Sequence, residues 1–200
     1  MDNYEYLIAG LPVLSSDWSS ARNKLSASAL ISEIRSLSSD RDNMLYDTLL
    51  KGYEEENYNP EFYKSVLAHP NGFIREFFRY DLGVRNAKVR FINERLGRPD
   101  DTDIFMEEDE DFEEAQEVNR ILHDRDLLDR ERDLDMLTWN KVGELNTFDY
   151  FNVSALLGYI AKLKIVERWL SLDEETGREM FRKLVDEIRG TFKGVDFNEQ

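Results

Sequence analysis

Between Asn152 and Ser171 the chain holds Val153, Ala155, Leu156, Leu157, Tyr159, Ile160, Ala161, Leu163, Ile165, Val166, Trp169 and Leu170. On a helix these residues occupy most of the circumference, and Lys162, Lys164, Glu167 and Arg168 form the only polar cluster. A helix apolar nearly all round is central in its bundle or is covered by a partner. No stretch approaches the roughly eighteen apolar residues of a bilayer span, so direct membrane insertion is not expected. With 200 residues, 41% of them hydrophobic and 12% aromatic, the chain can bury a core in one ordinary domain or two small ones.

The remaining chain reads mostly as further helices. Leu25, Ala29, Leu30, Ile34 and Leu37 recur at helical spacing, and Ser39 leads a run with Met44, Leu45, Leu49 and Leu50 on one side. Asn59-Pro60 is a start signal, a capping side chain followed by proline at the first helical position. The helix it opens, with Phe62, Tyr63, Val66 and Leu67, should stop before His69-Pro70. A long helix then runs from about Gly72 to Gly97, interrupted by Gly83, which marks a bend or a close approach. Residues from about 112 to 146 form one long helix or two in tandem. Asn152 caps the apolar helix, and Ser171-x-x-Glu174 forms a capping box for a last one with Met180, Phe181, Leu184, Val185, Ile188 and Phe192. Only Tyr4–Gly10, aromatic and β-branched, reads as extended. The expected fold is all-α, a multi-helix bundle of about seven or eight helices with a short N-terminal extended segment.

The charge is concentrated. Of 42 acids against 26 bases, a net of −16, eleven acids and no base lie between Asp100 and Glu117. Like charges this close are only partly screened, since the Debye length is about 8 Å at physiological salt. Residues 99–111 are therefore expected to be an exposed, mobile linker, dividing an N-terminal helical subdomain (1–98) from a C-terminal one (112–200). Asp109, Asp111 and Glu113 alternate, but no glycine supplies the turn of a calcium loop. From Phe73 to Arg98 the balance reverses, with Arg75, Arg79, Arg85, Lys88, Arg90, Arg95 and Arg98 against Glu76, Asp81 and Glu94. Those bases either pair with the acidic linker or form a docking face for an acidic helix. A chain this acidic repels phosphate backbones, so no nucleic acid is expected as a partner.

No catalytic constellation emerges. There is no phosphate-cradling Gly-x-x-x-x-Gly-Lys-Ser/Thr, no Gly-x-Gly-x-x-Gly after a strand and no Gly-x-Ser-x-Gly elbow. The two histidines, His69 and His123, have no second histidine at metal-sharing spacing. The absence of cysteine excludes disulfides, thiolate metal sites and cysteine nucleophiles, and it fits a reducing compartment. The opening MDNYEYLIAGLPVL lacks the basic start of a signal peptide. A non-enzyme without a cofactor is expected.

Two stretches resemble a known family. One is Arg79-Tyr80-Asp81-Leu82 with Asn86-Ala87-Lys88-Val89-Arg90 and Leu96-Gly97. The other is Ala155-Leu156-Leu157-Gly158-Tyr159-Ile160-Ala161-Lys162 running to Glu167-Arg168. Both are similar to helices of the C/d family of V-type (archaeal-type) rotary ATPases, the helical, funnel-like adaptors between rotor shaft and membrane ring. The opening Tyr4–Pro12 also resembles a short bacterial family whose genes accompany V-type ATPase genes. Members of the C/d family are longer and built from three similar helical units. The resemblance implies a non-catalytic adaptor for ion transport, whose partners are the central shaft and the membrane ring. It would be cytoplasmic and peripheral to the inner membrane through the complex. It also implies two contact or structural clusters: Tyr80, Asp81, Arg85, Asn86 and Arg90, and Tyr159, Lys162, Glu167 and Arg168. The alternative is a free-standing acidic adaptor that binds a basic protein through residues 100–117.

Overall fold

A computed structural model describes residues 4–17, 26–107, 112–124 and 126–171. Among them eight α-helices and one 3₁₀ turn are present and no strand: α1 (Glu5–Gly10), α2 (Ala27–Ser36), α3 (Asp40–Lys51), α4 (Pro60–Leu67), α5 (Gly72–Leu96), α6 (Ala115–Leu122), α7 (Leu127–Leu145) and α8 (Val153–Ser171), with the 3₁₀ turn at Glu55–Asn57. The fold is all-α, as the periodicity predicts, although the N-terminal segment differs from its expected extended form.

The helix starts follow from local chemistry. Ser39 accepts from the Asp42 N–H, Asn59 from the Phe62 N–H, and Asn152 from the Ser154 and Ala155 N–H groups, satisfying donors that have no intrahelical partner. The 112–146 region divides into α6 and α7 because the Asp126 side chain accepts from the N–H groups of Leu128 and Asp129, starting a new helix. At the end of α5, Gly97 takes the left-handed conformation (φ 64°). Its N–H reaches the Glu94 carbonyl while the Arg98 N–H reaches that of Asn93, a Schellman close.

Two expectations are corrected. Residues Glu5–Gly10, read as extended, form helix α1. No strand among the described residues pairs with them, so the backbone bonds to itself, with the Ile8 N–H on the Tyr4 carbonyl at 2.9 Å. Tyr4 anchors this turn, its N–H on the Phe151 carbonyl and its hydroxyl on Asp42. Residues 99–107 are mostly exposed, as expected, but lie as a strap along α5 rather than as a free linker. Asn93 Nδ2 donates to the carbonyls of Asp100 and Thr102, Asn86 Nδ2 donates to that of Met106, and Arg90 pairs with Glu107 at 2.8 Å. The amides of Asn86 and Asn93, two helical turns apart, supply a ladder of donors to the carbonyls of this acidic stretch. Ser171, expected to cap a following helix, closes the described part of α8 and gives its hydroxyl to the Arg168 carbonyl, while the rest of that capping box lies outside the described residues. The helix expected beyond it lies outside the described residues, as do Leu25 and residues 108–111.

The main core draws on both sides of the acidic segment. Tyr46, Leu49, Tyr63, Ile74, Phe78 and Leu82 meet Val142, Leu156, Leu157 and Ile160. Helix α8 packs against α2, α3 and α7, as its apolar circumference demands. Burying a leucine or isoleucine of this kind is worth roughly 1.5–3 kcal/mol. Around Phe78 the rings of Phe62, Tyr63 and Phe77 stand edge-on at 5.2–6.3 Å. A smaller core joins Val118, Ile121 and Leu122 of α6 to Leu134 of α7, with Val84, Ala87 and Phe91 of α5 against it. Lys141 and Glu114 tie α7 to the start of α6 at 2.6 Å, both largely buried. No helix among the described residues is long and apolar enough to cross a membrane.

Candidate functional site

The five residues expected as one cluster on α5 fan out in three directions, because 100° per residue separates them around the axis. Tyr80 is buried, its hydroxyl 3.2 Å from Thr138 Oγ1 and its ring against Phe112. Asn86 and Arg90 hold the strap. Asp81 and Arg85 share the face toward α4. There Asp81 accepts from the Tyr63 hydroxyl and, at 2.7 Å, from Arg85 Nε, whose guanidinium lies 3.7 Å from the Tyr58 ring centroid. Burial raises the Tyr63 pKa, and the Asp81 carboxylate adds to the rise. Burial works against the charge on Arg85, but Asp81 outweighs it and holds the guanidinium firmly protonated.

The second group also divides. The Tyr159 hydroxyl donates to the Pro12 carbonyl at 2.9 Å, and burial, with Glu33 nearby, pushes its pKa up to about 12. Lys162 Nζ sits 5.0 Å over the Trp139 ring, and burial lowers its pKa. Glu167 pairs with Lys164. Arg168 reaches Glu131 at 3.1 Å and Asp135 at 2.8 Å, and Asp135 also accepts from Trp169 Nε1 at 2.7 Å. Burial raises the Asp135 pKa while Arg168 and Trp169 pull against it.

Long-range pairs connect the two groups. Lys88 of α5 lies 3.9 Å from Glu131 of α7, which in turn holds Arg168 of α8. Tyr53 sits beneath Lys164 Nζ, 5.8 Å from its ring centroid. Desolvation, with Asp81 and Asp135 nearby, raises the Tyr53 pKa, although the residue lies partly at the surface. Asp81, Arg85, Lys164, Glu167 and Arg168 thus belong to one charged and aromatic face across α5, α7 and α8. Each of its central acids is engaged: Asp81 by Tyr63 and Arg85, Glu131 by Lys88 and Arg168, Asp135 by Arg168 and Trp169. These pairs bridge α5, α7 and α8. Sequence reasoning missed Tyr53, Tyr58, Lys88, Glu131 and Asp135 as members. Glu131 and Asp135 sit in a charge-dense stretch that reads as a solvated helix, and no local spacing links them to residues more than thirty positions away.

A different kind of surface lies at one end of the bundle. Phe148 and Tyr6 are 88% and 94% exposed, and Tyr150 and Phe151 are exposed beside them. The bond from the Tyr4 N–H to the Phe151 carbonyl, 2.8 Å, holds the start of the N-terminal helix against the α7–α8 loop, where the Tyr150 and Phe151 rings lie 6.4 Å apart. Apolar side chains clustered in water mark interaction surfaces.

No curated protein and no solved structure matches the chain. A family model described as "Protein of unknown function (DUF2764)" matches residues 91–191, from the last turns of α5 through α8 and beyond, and the chain belongs to that family.

Proposed function

We propose that this chain is a non-catalytic helical adaptor of a V-type rotary ATPase, similar to the C/d family, working at the cytoplasmic face between the central shaft and the membrane ring. The resemblance of Arg79–Arg90 and Ala155–Arg168 to helices of that family motivates the assignment. The observation that carries the adaptor role is the exposed aromatic end, Tyr6, Phe148, Tyr150 and Phe151. Aromatic side chains dominate the energetic centres of protein interfaces. The ion pairs that bridge α5, α7 and α8 are consistent with a part that passes force between helices. In the described part of the acidic segment, Asp103 and Glu107 pair with this chain's own Arg98 and Arg90, so that part is an internal tie.

Purification of the tagged chain at native abundance under gentle conditions tests the proposal. Shaft and ring proteins of the ATPase should co-purify, and Phe148→Ala with Tyr150→Ala should reduce their recovery at least tenfold without unfolding the chain, since both side chains lie at the surface. Absence of ATPase components from the purified material overturns the rotary assignment. Recovery of a basic protein instead, lost on neutralising Glu108, Asp109, Glu110 and Asp111, identifies a free-standing acidic adaptor.

A further inference from the structure

Phe78, Arg85, Val89, Ile92 and Leu96 follow one another on α5 at steps of seven, four, three and four residues, so they share one side of the helix. Upstream that side is covered: α4 packs on it, with Phe62 and Tyr63 edge-on to Phe78 at 5.2 and 6.3 Å. Just before α4 begins, the Tyr58 ring lies against the Arg85 guanidinium. Past Arg85 the cover ends. Ile92 and Leu96 are 52% and 57% exposed, and no described element seals them. The other sides of this stretch are taken, since Val84, Ala87 and Phe91 turn to α6 and Asn86 and Asn93 hold the strap. The bare stretch is also basic, in a chain of net charge −16: Lys88, Arg90, Arg95 and Arg98 stand against Glu94 alone. Arg90 and Arg98 serve the strap through Glu107 and Asp103, and Glu94 faces His123 at 3.7 Å. Lys88 and Arg95 flank the apolar side. Lys88 has one long approach, 3.9 Å, to a Glu131 that Arg168 holds at 3.1 Å. Arg95 is exposed and makes no ion pair among the described residues; its guanidinium lies 5.0 Å from the Phe91 ring centroid, with that of Arg130 at 5.9 Å over the same ring.

We propose that the side of α5 formed by Val89, Ile92 and Leu96 is a docking surface for an acidic amphipathic helix of another protein. Spacing selects a helix. The three apolar residues stand at i, i+3 and i+7, the seam positions of a coiled coil, and Lys88 and Arg95 each precede a seam residue, where flanking charges choose the partner. Continuity selects a helix too, because one laid here extends along the side of α5 that α4 already covers, beyond Tyr58. Charge selects an acidic one. Glutamates flanking the partner's apolar seam would meet Arg95 and Lys88, and the same two bases would repel a basic helix. A second copy of this chain fits less well, since a two-fold contact sets Lys88 and Arg95 against the same two bases.

The absence of cysteine permits a site-specific probe. Ile92→Cys in the full chain is labelled with a photo-crosslinker and offered two synthetic three-heptad peptides at physiological salt. Both have leucine seams; glutamates flank one seam and lysines the other. The glutamate peptide should be crosslinked at least tenfold more than the lysine peptide. Net charge alone would favour the lysine peptide, so this order reports the local face. Adding Arg95→Glu should lower capture of the glutamate peptide at least fivefold and raise that of the lysine peptide, a reversal that loss of folding cannot produce. In the unlabelled chain, Leu96→Asp should weaken binding of a fluorescent glutamate peptide at least tenfold with the helical circular dichroism unchanged. Equal capture of the two peptides, or a preference that survives Arg95→Glu, overturns the proposal. So does crosslinking that stays within the chain or joins two copies, which assigns this side of α5 to the chain itself. No ATPase component enters these measurements, so their outcome is separate from the fate of the adaptor assignment.

Discussion

Two glycines make the same close approach in different surroundings. At Gly52, which ends α3, a Cβ would fall 2.3 Å from Phe78 Cε1; at Gly83, inside α5, one would fall 2.5 Å from Phe112 Cδ2. Phe78 is sealed in the main core by Phe62, Tyr63 and Phe77. Phe112 stands at the entrance to α6, half-buried at the margin of the smaller core, with Tyr80 at 6.0 Å. One region is held by apolar packing from every side. The other leans on fewer apolar contacts and on the Lys141–Glu114 pair. Equal clashes should therefore have unequal consequences, because a ring at a margin can move and a ring in a sealed core cannot.

The largest expected difference comes from removing volume. Leu157, inaccessible in the main core, should cost about 4 kcal/mol as Leu157→Ala, near the top of the range for fully buried leucines. Leu122→Ala in the smaller core should cost about 2 kcal/mol, because the cavity can collapse or fill with water at its edge. Urea unfolding of both variants measures the gap, and equal losses would break the distinction between the two cores.

Adding volume is the next test. Gly52→Ala should destabilise by about 3 kcal/mol, since Phe78 has nowhere to go. Gly83→Ala gains roughly 1 kcal/mol of helix propensity and displaces a movable ring, so its net cost should be about 1 kcal/mol or less. A Gly83→Ala loss as large as that of Gly52→Ala would show that Phe112 is as firmly held as Phe78.

The helices are legible in the sequence wherever a boundary is local. Ser39, Asn59 and Asn152 announce starts because capping needs only the next three residues, and Gly97 announces an end because few other residues accept its φ. Gly83 points correctly to a close approach but cannot say to what. The central position of α8 follows from an apolar circumference. Helix α1 misleads because β-branched and aromatic residues favour strands only when a neighbouring strand exists to pair with them. The strap misleads because net charge counts repulsion and misses two buried asparagines that donate to carbonyls. In the candidate site, the family resemblance names Asp81 and Arg85, and their i, i+4 spacing brings the two together. Nothing local can join Lys88 to Glu131 or Arg168 to Asp135, since those pairs exist only once α5, α7 and α8 are packed.

The strap offers a third contrast with the sealed core, because amides rather than rings hold it. Asn86 is buried and donates at 2.9 Å to the Met106 carbonyl. Asn86→Leu leaves that carbonyl without its donor and should cost about 2 kcal/mol. Hydrogen exchange should rise in residues 99–107 ahead of the main core. If α8 opens together with the strap, the strap is part of the main cooperative unit.

Alkaline titration should act on the tyrosines of the packed region. Tyr159 ionises near its ordinary value of 10.0 when unfolded and at about 12 when folded, held back by burial. The folded state therefore keeps its proton where the unfolded state has lost it. The resulting stability is complete below pH 10 and falls as pH rises toward 12. Water at the exposed edge of the ring screens part of the effect, so Tyr159 alone should account for about 1 kcal/mol of the loss. Burial also raises Tyr46, Tyr63 and Tyr80, which steepens the decline. In Tyr159→Phe, stability should fall less over the same interval when followed by urea midpoint against pH. An unchanged slope would mean that the hydroxyl bonded to Pro12 is open to solvent.

The smallest effect should come from the other fastening of the strap. Arg90 and Glu107 meet at 2.8 Å, but their side chains are 39% and 63% exposed, and ion pairs so placed are worth about 0.5 kcal/mol or less. Arg90 also lies in the basic stretch that attracts the eleven acids following it, and that attraction works at longer range than the contact. Glu107→Gln removes the contact and one acid while leaving the Asn86 and Asn93 amides in place. Its stability loss should be within about 0.5 kcal/mol at low salt and should vanish at 1 M salt, where the screening length shrinks to about 3 Å. A loss that persists in salt would assign the Arg90–Glu107 pair a geometric role like that of Asn86, and the strap would then be pinned along its whole described length by directed bonds rather than drawn in by charge.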